Sequence, residues 1–137
     1  MKAYLSGPIS TDMSGYVSKF AEAKAVIEAA GNDVMNPAEF GEEYGTDPSM
    51  WTKYLCRDLV AMLSECDRIV LLPGWKASRG ATLEAYIASV LGFEMFEYIP
   101  ESEMVDKCER VRIDAEWSVQ LAAFLMTPYR RSVNGQF

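Results

Sequence analysis

Short, wholly apolar runs alternate along the chain with longer stretches in which apolar residues recur every three or four positions, a pattern that predicts strands followed by helices. Residues 2–5 read as a strand broken at Ser6-Gly7-Pro8. Residues 16–30 are amphipathic and stop at Gly31. A second short strand at 33–35 leads into Asn36-Pro37 and a polar, glycine-containing loop through Asp47-Pro48, long enough to cover a site. From 50 to 65, Trp51, Tyr54, Leu55, Leu59, Met62 and Leu63 fall at helical spacing, with Asp47 or Ser49 as the N-cap. Residues 68–72 are apolar and β-branched, a buried strand ended by Pro73-Gly74. A helix over 80–91 is closed by Gly92, and 93–99 reads as an aromatic-bearing fourth strand. Strands alternating with helices at such short intervals require right-handed crossovers. The expected fold is therefore an α/β three-layer sandwich, its mostly parallel sheet of four or five strands covered on both faces.

After Pro100 the chain changes character. Residues 101–112 are strongly charged, whereas 114–126 carry Trp117, Val119, Leu121, Phe124 and Leu125 in a helical pattern. The division expected is an α/β domain over 1–100 and a C-terminal helical extension over 101–137, packed on the same domain or on a partner subunit. The tail Tyr129-Arg130-Arg131-Ser132 is basic within an acidic protein and reads as a solvated terminus, ahead of a role in phosphate contact.

Composition narrows the function. A chain of 137 residues, half of them hydrophobic, fits one compact unit. A net charge of −7 argues against polynucleotides and anionic membranes, although a small basic pocket could still take a phosphate. With no charged leader before an apolar core, and no apolar run of about 18 residues or more, the expectation is a soluble cytoplasmic protein without membrane contact. Histidine is absent, and Cys56, Cys66 and Cys108 have no CxxC spacing, which argues against a zinc site and a Ser-His-Asp triad. Cys56 and Cys66 are expected to pack as small hydrophobes along a helix.

Three places converge if the sheet is parallel: the turn at 4–10, the region of Asp58, and the segment 78–84. Gly7 permits close backbone approach to a ligand, and the helix beginning near Gly80 offers free N–H groups to an anion, with the Ser78 hydroxyl beside it. Neither a Walker motif nor a GxGxxG fingerprint is present. Glu84 would stand in the crevice beyond the carboxyl end of the third strand, where ligands bind in open parallel sheets; otherwise it is an exposed helix glutamate. Asp58 would otherwise be a surface charge beside Arg57. Two carboxyls at one cleft suit cleavage of a glycosidic or N-glycosidic bond, because one can stabilise or trap an oxocarbenium-like centre while the other manages protons. Trp75, after a Pro-Gly turn, either stacks on a base or packs half-buried, and Trp51 is expected to pack.

The run Y-L-S-G-P-I-S at 4–10, W-x-x-Y-x-x-x-D-L at 51–59 and C-D-x-I-V-L-L-P-G-W-x-x-S-x-G-A-x-x-E at 66–84 resemble the nucleoside 2-deoxyribosyltransferase-like superfamily, nearest to its small uncharacterised branch often encoded by bacteriophages and bacteria. The resemblance covers roughly residues 2–99. It implies a flavodoxin-like or Rossmann-like sheet, assembly as a homodimer or higher homo-oligomer, and cleavage of the N-glycosidic bond of deoxynucleosides or their 5′-monophosphates, with neither metal nor organic cofactor. By position, Glu84 matches the glutamate that attacks C1′, Tyr4 the tyrosine that orients it, and Asp58 the aspartate that contacts sugar or base and helps protonate the leaving base. Gly7, Pro8, Ile9, Ser10, Trp75, Ser78 and Gly80 fall at substrate-binding positions. Ser78 matches the phosphate-binding serine of the monophosphate N-glycosidases, where transferases acting on free nucleosides carry an aspartate. A serine donates to a phosphate oxygen without like-charge repulsion. Ser10 stands where some monophosphate hydrolases have an arginine, a part left to Arg79 or the tail arginines. The resemblance thus implies hydrolysis, or transfer, of the N-glycosidic bond of a deoxynucleoside 5′-monophosphate through a glycosyl-Glu84 intermediate. The alternatives are a non-catalytic nucleotide-binding or sequestering module and a deoxyribosyltransferase on free nucleosides.

Overall fold

Apolar runs too short for helical turns become the strands of one sheet in the computed structural model, which describes residues 2–112 and 114–126, the side chain of Phe124 excepted. The strands are β1 (Lys2–Ser6), β2 (Asp33–Met35), β3 (Arg68–Leu71), β4 (Glu94–Tyr98) and β5 (Cys108–Arg110), in the order β2-β1-β3-β4-β5. The first three pairings are parallel and β4–β5 is antiparallel. The described helices are α1 (Tyr16–Ala29), α2 (Trp51–Glu65), α3 (Arg79–Val90) and α4 (Ala115–Leu125).

The period-2 alternation of side chains divides the core in two. On one face Leu5, Val34, Val70 and Tyr98 pack with Phe20, Ala23 and Ile27 of α1. On the other, Tyr4, Ile69, Leu71 and Met95 pack with Met62 of α2 and with Ala81, Ala85 and Ala88 of α3. The three alanines let α3 lie close to the sheet. The protein is thus a mixed α/β fold with helices on both faces of a partly parallel sheet, consistent with three layers. Among the described residues no helix is long and apolar enough to cross a membrane.

Within the stretch 101–112, expected to belong to a helical extension, β5 instead pairs Tyr98 with Cys108 and Phe96 with Arg110. A three-residue edge strand with one buried side chain, Cys108, carries too little alternation to be seen in sequence. Lys107, at φ 55°, turns the chain into it. Helix α4 packs against α3, with Trp117 6.2 Å from Trp75 between ring centres. Of the two cysteines expected to pack, Cys66 does so and Cys56 does not. Cys56 is exposed on α2, while Cys66 is half-buried just beyond that helix, its thiol 3.8 Å from the Met35 sulfur. Asp47 does cap, but it caps the 3-10 turn Pro48–Met50, accepting from the Ser49 N–H, and that turn runs straight into α2.

Adjacent β1 and β3 release the chain in opposite directions, one through α1 to β2 and the other through α3 to β4. Their carboxyl ends therefore open a crevice.

Candidate active site

The crevice is furnished first by β1. Tyr4 and Ser6 are two residues apart, so they leave the strand on the same face, toward α3. Opposite them α3 begins at Ser78, whose Oγ accepts from the Ala81 N–H at 3.2 Å, while Thr82 Oγ1 donates to the Ser78 carbonyl at 2.8 Å. This capped start fixes the helical phase, and Glu84 falls on the buried side among Ala81, Ala85 and Ala88. Tyr4 Oη donates to Glu84 Oε2 at 2.6 Å, and Ser6 Oγ donates to Oε1 at 2.7 Å. Both carboxylate oxygens are held, and the side chain is only 6% exposed.

Burial dominates the electrostatics. It pushes the Glu84 carboxyl from an ordinary 4.5 up to about 7, against the lowering effect of the Tyr4 and Ser6 hydrogen bonds; the Asp58 charge adds to the rise. The Tyr4 phenol is pushed well above its usual range, by burial first and then by Glu84 and Asp58. Asp58 is 7% exposed and rises to about 6, again through burial, although Arg57 Nε donates to its Oδ1 at 3.0 Å and pulls the other way. The crevice thus holds two carboxyls that titrate close to neutrality.

Glu84 and Asp58 line one cavity of about 80 Å³, walled by Gly7, Ile9 and Ser10 from the loop after β1 and by Ser78 and Gly80 at the start of α3. Five of the seven expected substrate-binding residues are therefore brought together here. Pro8 is not; it faces the other side of the loop and lines a separate cavity beside α1. Trp75 is not either. The left-handed Gly74 and the 3-10 turn Trp75–Ala77 swing its ring into the core, where it is 5% exposed, lies near Trp117 and donates Nε1–H to Glu97 Oε1 at 3.1 Å. Stacking of Trp75 on a base at this cleft is replaced by packing.

Trp51, expected to pack, instead joins Tyr54 and Leu55 in lining the cavity. The signal was present: Trp51, Tyr54, Leu55 and Asp58 share one α2 stripe by the i, i+3, i+4, i+7 rule. Ser6 read as a strand breaker, yet its position two residues after Tyr4 already placed it on that tyrosine's face. Arg57 carries no signal in sequence beyond its place beside Asp58. It ties Asp58 to the segment 41–47, donating Nη1–H to the Gly41 carbonyl at 2.7 Å and lying over the Phe40 and Tyr54 rings at 5.3 Å and 4.9 Å. The Tyr54 hydroxyl accepts from the Tyr44 N–H and donates to the Gly45 carbonyl, at 2.9 Å and 2.7 Å. These contacts seat the segment over a second depression of about 130 Å³ that shares Ile9, Ser10, Trp51 and Tyr54 with the first. The tail arginines considered for phosphate contact lie outside the described residues.

The family model described as a domain of unknown function (DUF4406) matches residues 1–97. The chain belongs to the DUF4406 family. No curated protein and no solved structure matches. The DUF4406 match contains every residue of the cleft described above and ends within β4, before β5 and α4.

Proposed function

We propose that this protein is an N-glycosidase that hydrolyses deoxynucleoside 5′-monophosphates. The observation that carries the reading is the buried Glu84 carboxylate, gripped at both oxygens by Tyr4 and Ser6 and facing a cavity shared with Asp58. Such a grip favours the ionised form and aims it. In the first step a Glu84 oxygen bonds to C1′ as the C1′–N bond breaks. The bonding pair stays on the base nitrogen, and the base takes up a proton from Asp58. In the second, Asp58 removes a proton from water, whose oxygen attacks C1′ and expels Glu84 as carboxylate. Ser78 at the cavity wall, in place of an acidic residue, supports a phosphate-bearing substrate, and water as acceptor goes with that choice. The strand order, with its opening between β1 and β3, supports the flavodoxin-like variant of the fold, with β5 reversed. A cytoplasmic homo-oligomer completes the proposal.

The cavity size bears on how substrate enters. Ligand pockets commonly measure about 300–1,000 Å³, and the space around Glu84 is about 80 Å³. A nucleotide would therefore extend into the adjoining depression, which Gly41, Glu42, Gly45, Thr46 and Asp47 help to line. The same confinement favours a second reading, a module that binds a nucleotide without turning it over. Incubation with a panel of deoxynucleoside monophosphates, followed by chromatography, separates the two. Free base is expected with wild type and none with Glu84→Gln. Nucleotide-dependent thermal stabilisation with no base released would replace the enzyme by the binder.

A further inference from the structure

Beyond the loop after β1, on the side away from Glu84, lies a cavity of about 480 Å³ between α1 and the ends of β3 and β4. Its volume is within the common range for small-molecule sites. Phe20, Leu72 and Tyr98 form an apolar floor, and Pro8, Pro73 and Pro100 supply stiff walls. The rim is polar. Lys19 and Asp12 pair there at 2.7 Å and largely cancel, whereas Glu22 makes no ion pair among the described residues.

Tyr98 is the unusual member. Its side chain is 6% exposed, yet among the described residues its hydroxyl has no hydrogen-bond partner. The hydroxyl itself stays open to solvent, so a ligand in the cavity can reach it. Burial and then the charge of Glu22, which also lines the cavity, raise its pKa. The cavity therefore combines an apolar slot with one edge made of a hydroxyl, able to donate, and a carboxylate, able only to accept.

We propose that this cavity is a second ligand site for a flat, amino-substituted nitrogen heteroaromatic ring. The ring lies between the prolines and the aromatic floor, its nitrogen accepts from the Tyr98 hydroxyl, and its amino group donates to Glu22. The uncompensated Glu22 disfavours anionic rings. This site does not depend on the reaction assigned to Glu84.

The test uses the full chain, as wild type and as Glu84→Gln, titrated with 2-aminopyridine and 2-aminopyrimidine and followed by amide chemical shifts. Toluene is the apolar control. Saturable shifts are expected at Thr11, Phe20 and Tyr98 in both proteins alike, with little change at Asp58 or position 84. Tyr98→Phe keeps the floor, and Glu22→Gln alters an exposed rim residue; each is expected to weaken binding by about tenfold, as loss of one good hydrogen bond does. Absence of saturable shifts at millimolar probe overturns the proposal. So does binding equal to that of toluene, or unchanged in both variants, because the cavity is then only an apolar void. Because the probes are expected to bind Glu84→Gln as they bind wild type, failure of the glycosidase reading leaves this result intact, and the reverse also holds.

Discussion

Glu84 is held from two sides, and the two hydroxyls do separable work. Tyr4→Phe removes the donor to Oε2 while keeping the buried ring. The ionised carboxylate loses support, so its pKa climbs further above about 7. Because Glu84 already titrates above Asp58, the form with Glu84 ionised and Asp58 protonated becomes scarcer: kcat/KM for base release is expected to fall about tenfold for each unit of rise, with the upper inflection of its pH profile moving to higher pH. Unmoved limbs would mean that Tyr4 does not act through Glu84. Gly7 offers a purely steric test. A Cβ there would come within 2.8 Å of Leu72 Cβ, close to the main chain, so the loops after β1 and β3 must separate to admit it. Gly7→Ala is expected to cost about 1–3 kcal/mol in urea denaturation. At this scale the sequence was readable where a motif fixed both residue type and spacing, as for Tyr4, Asp58, Ser78 and Glu84. It misled at Trp75, because the direction in which a left-handed Gly74 sends the next side chain depends on what the turn packs against.

Among elements, the segment 41–47 and the helix beneath it matter most for access. Arg57 both fastens that segment through the Gly41 carbonyl and lowers the Asp58 pKa, two roles that one substitution exposes together. Arg57→Ala is expected to speed hydrogen exchange at Tyr44 and its neighbours. It should also move the lower inflection of the base-release profile upward, as Asp58, which titrates below Glu84, holds its proton to higher pH. An exchange increase without the limb shift would assign Arg57 to the loop alone. The α1, α2 and α3 patterns were legible because each spans several turns with one apolar stripe. Strand β5 was not, since its identity rests on pairing with β4 and hardly at all on its own side chains.

For the whole molecule, the two buried carboxyls set how stability responds to pH. The folded state raises Glu84 from 4.5 to about 7 and Asp58 from 3.8 to about 6, so across that interval it binds more protons than the unfolded chain. Their contribution is complete below the unfolded values and is lost as pH rises through about 6 and then about 7. Glu84→Gln, which cannot ionise, is expected to be the more stable protein above pH 8, by about 3 kcal/mol. That advantage should vanish near pH 4.5, as read from urea midpoints across a pH series. A constant difference across the series would deny the raised pKa.

The loop after β1 separates the Glu84 cleft from the cavity beside α1 by the thickness of a single peptide chain. Gly7, Ile9 and Ser10 face the first, while Pro8, Thr11 and Asp12 face the second. The partition has little slack, with Gly7 set against Leu72, and Gly74 so near Pro8 that an added Cβ would sit 3.2 Å from its ring. Room gained on one side is taken from the other. Ligands at the two proposed sites are therefore expected to compete for the same wall, each weakening the other by an equal factor.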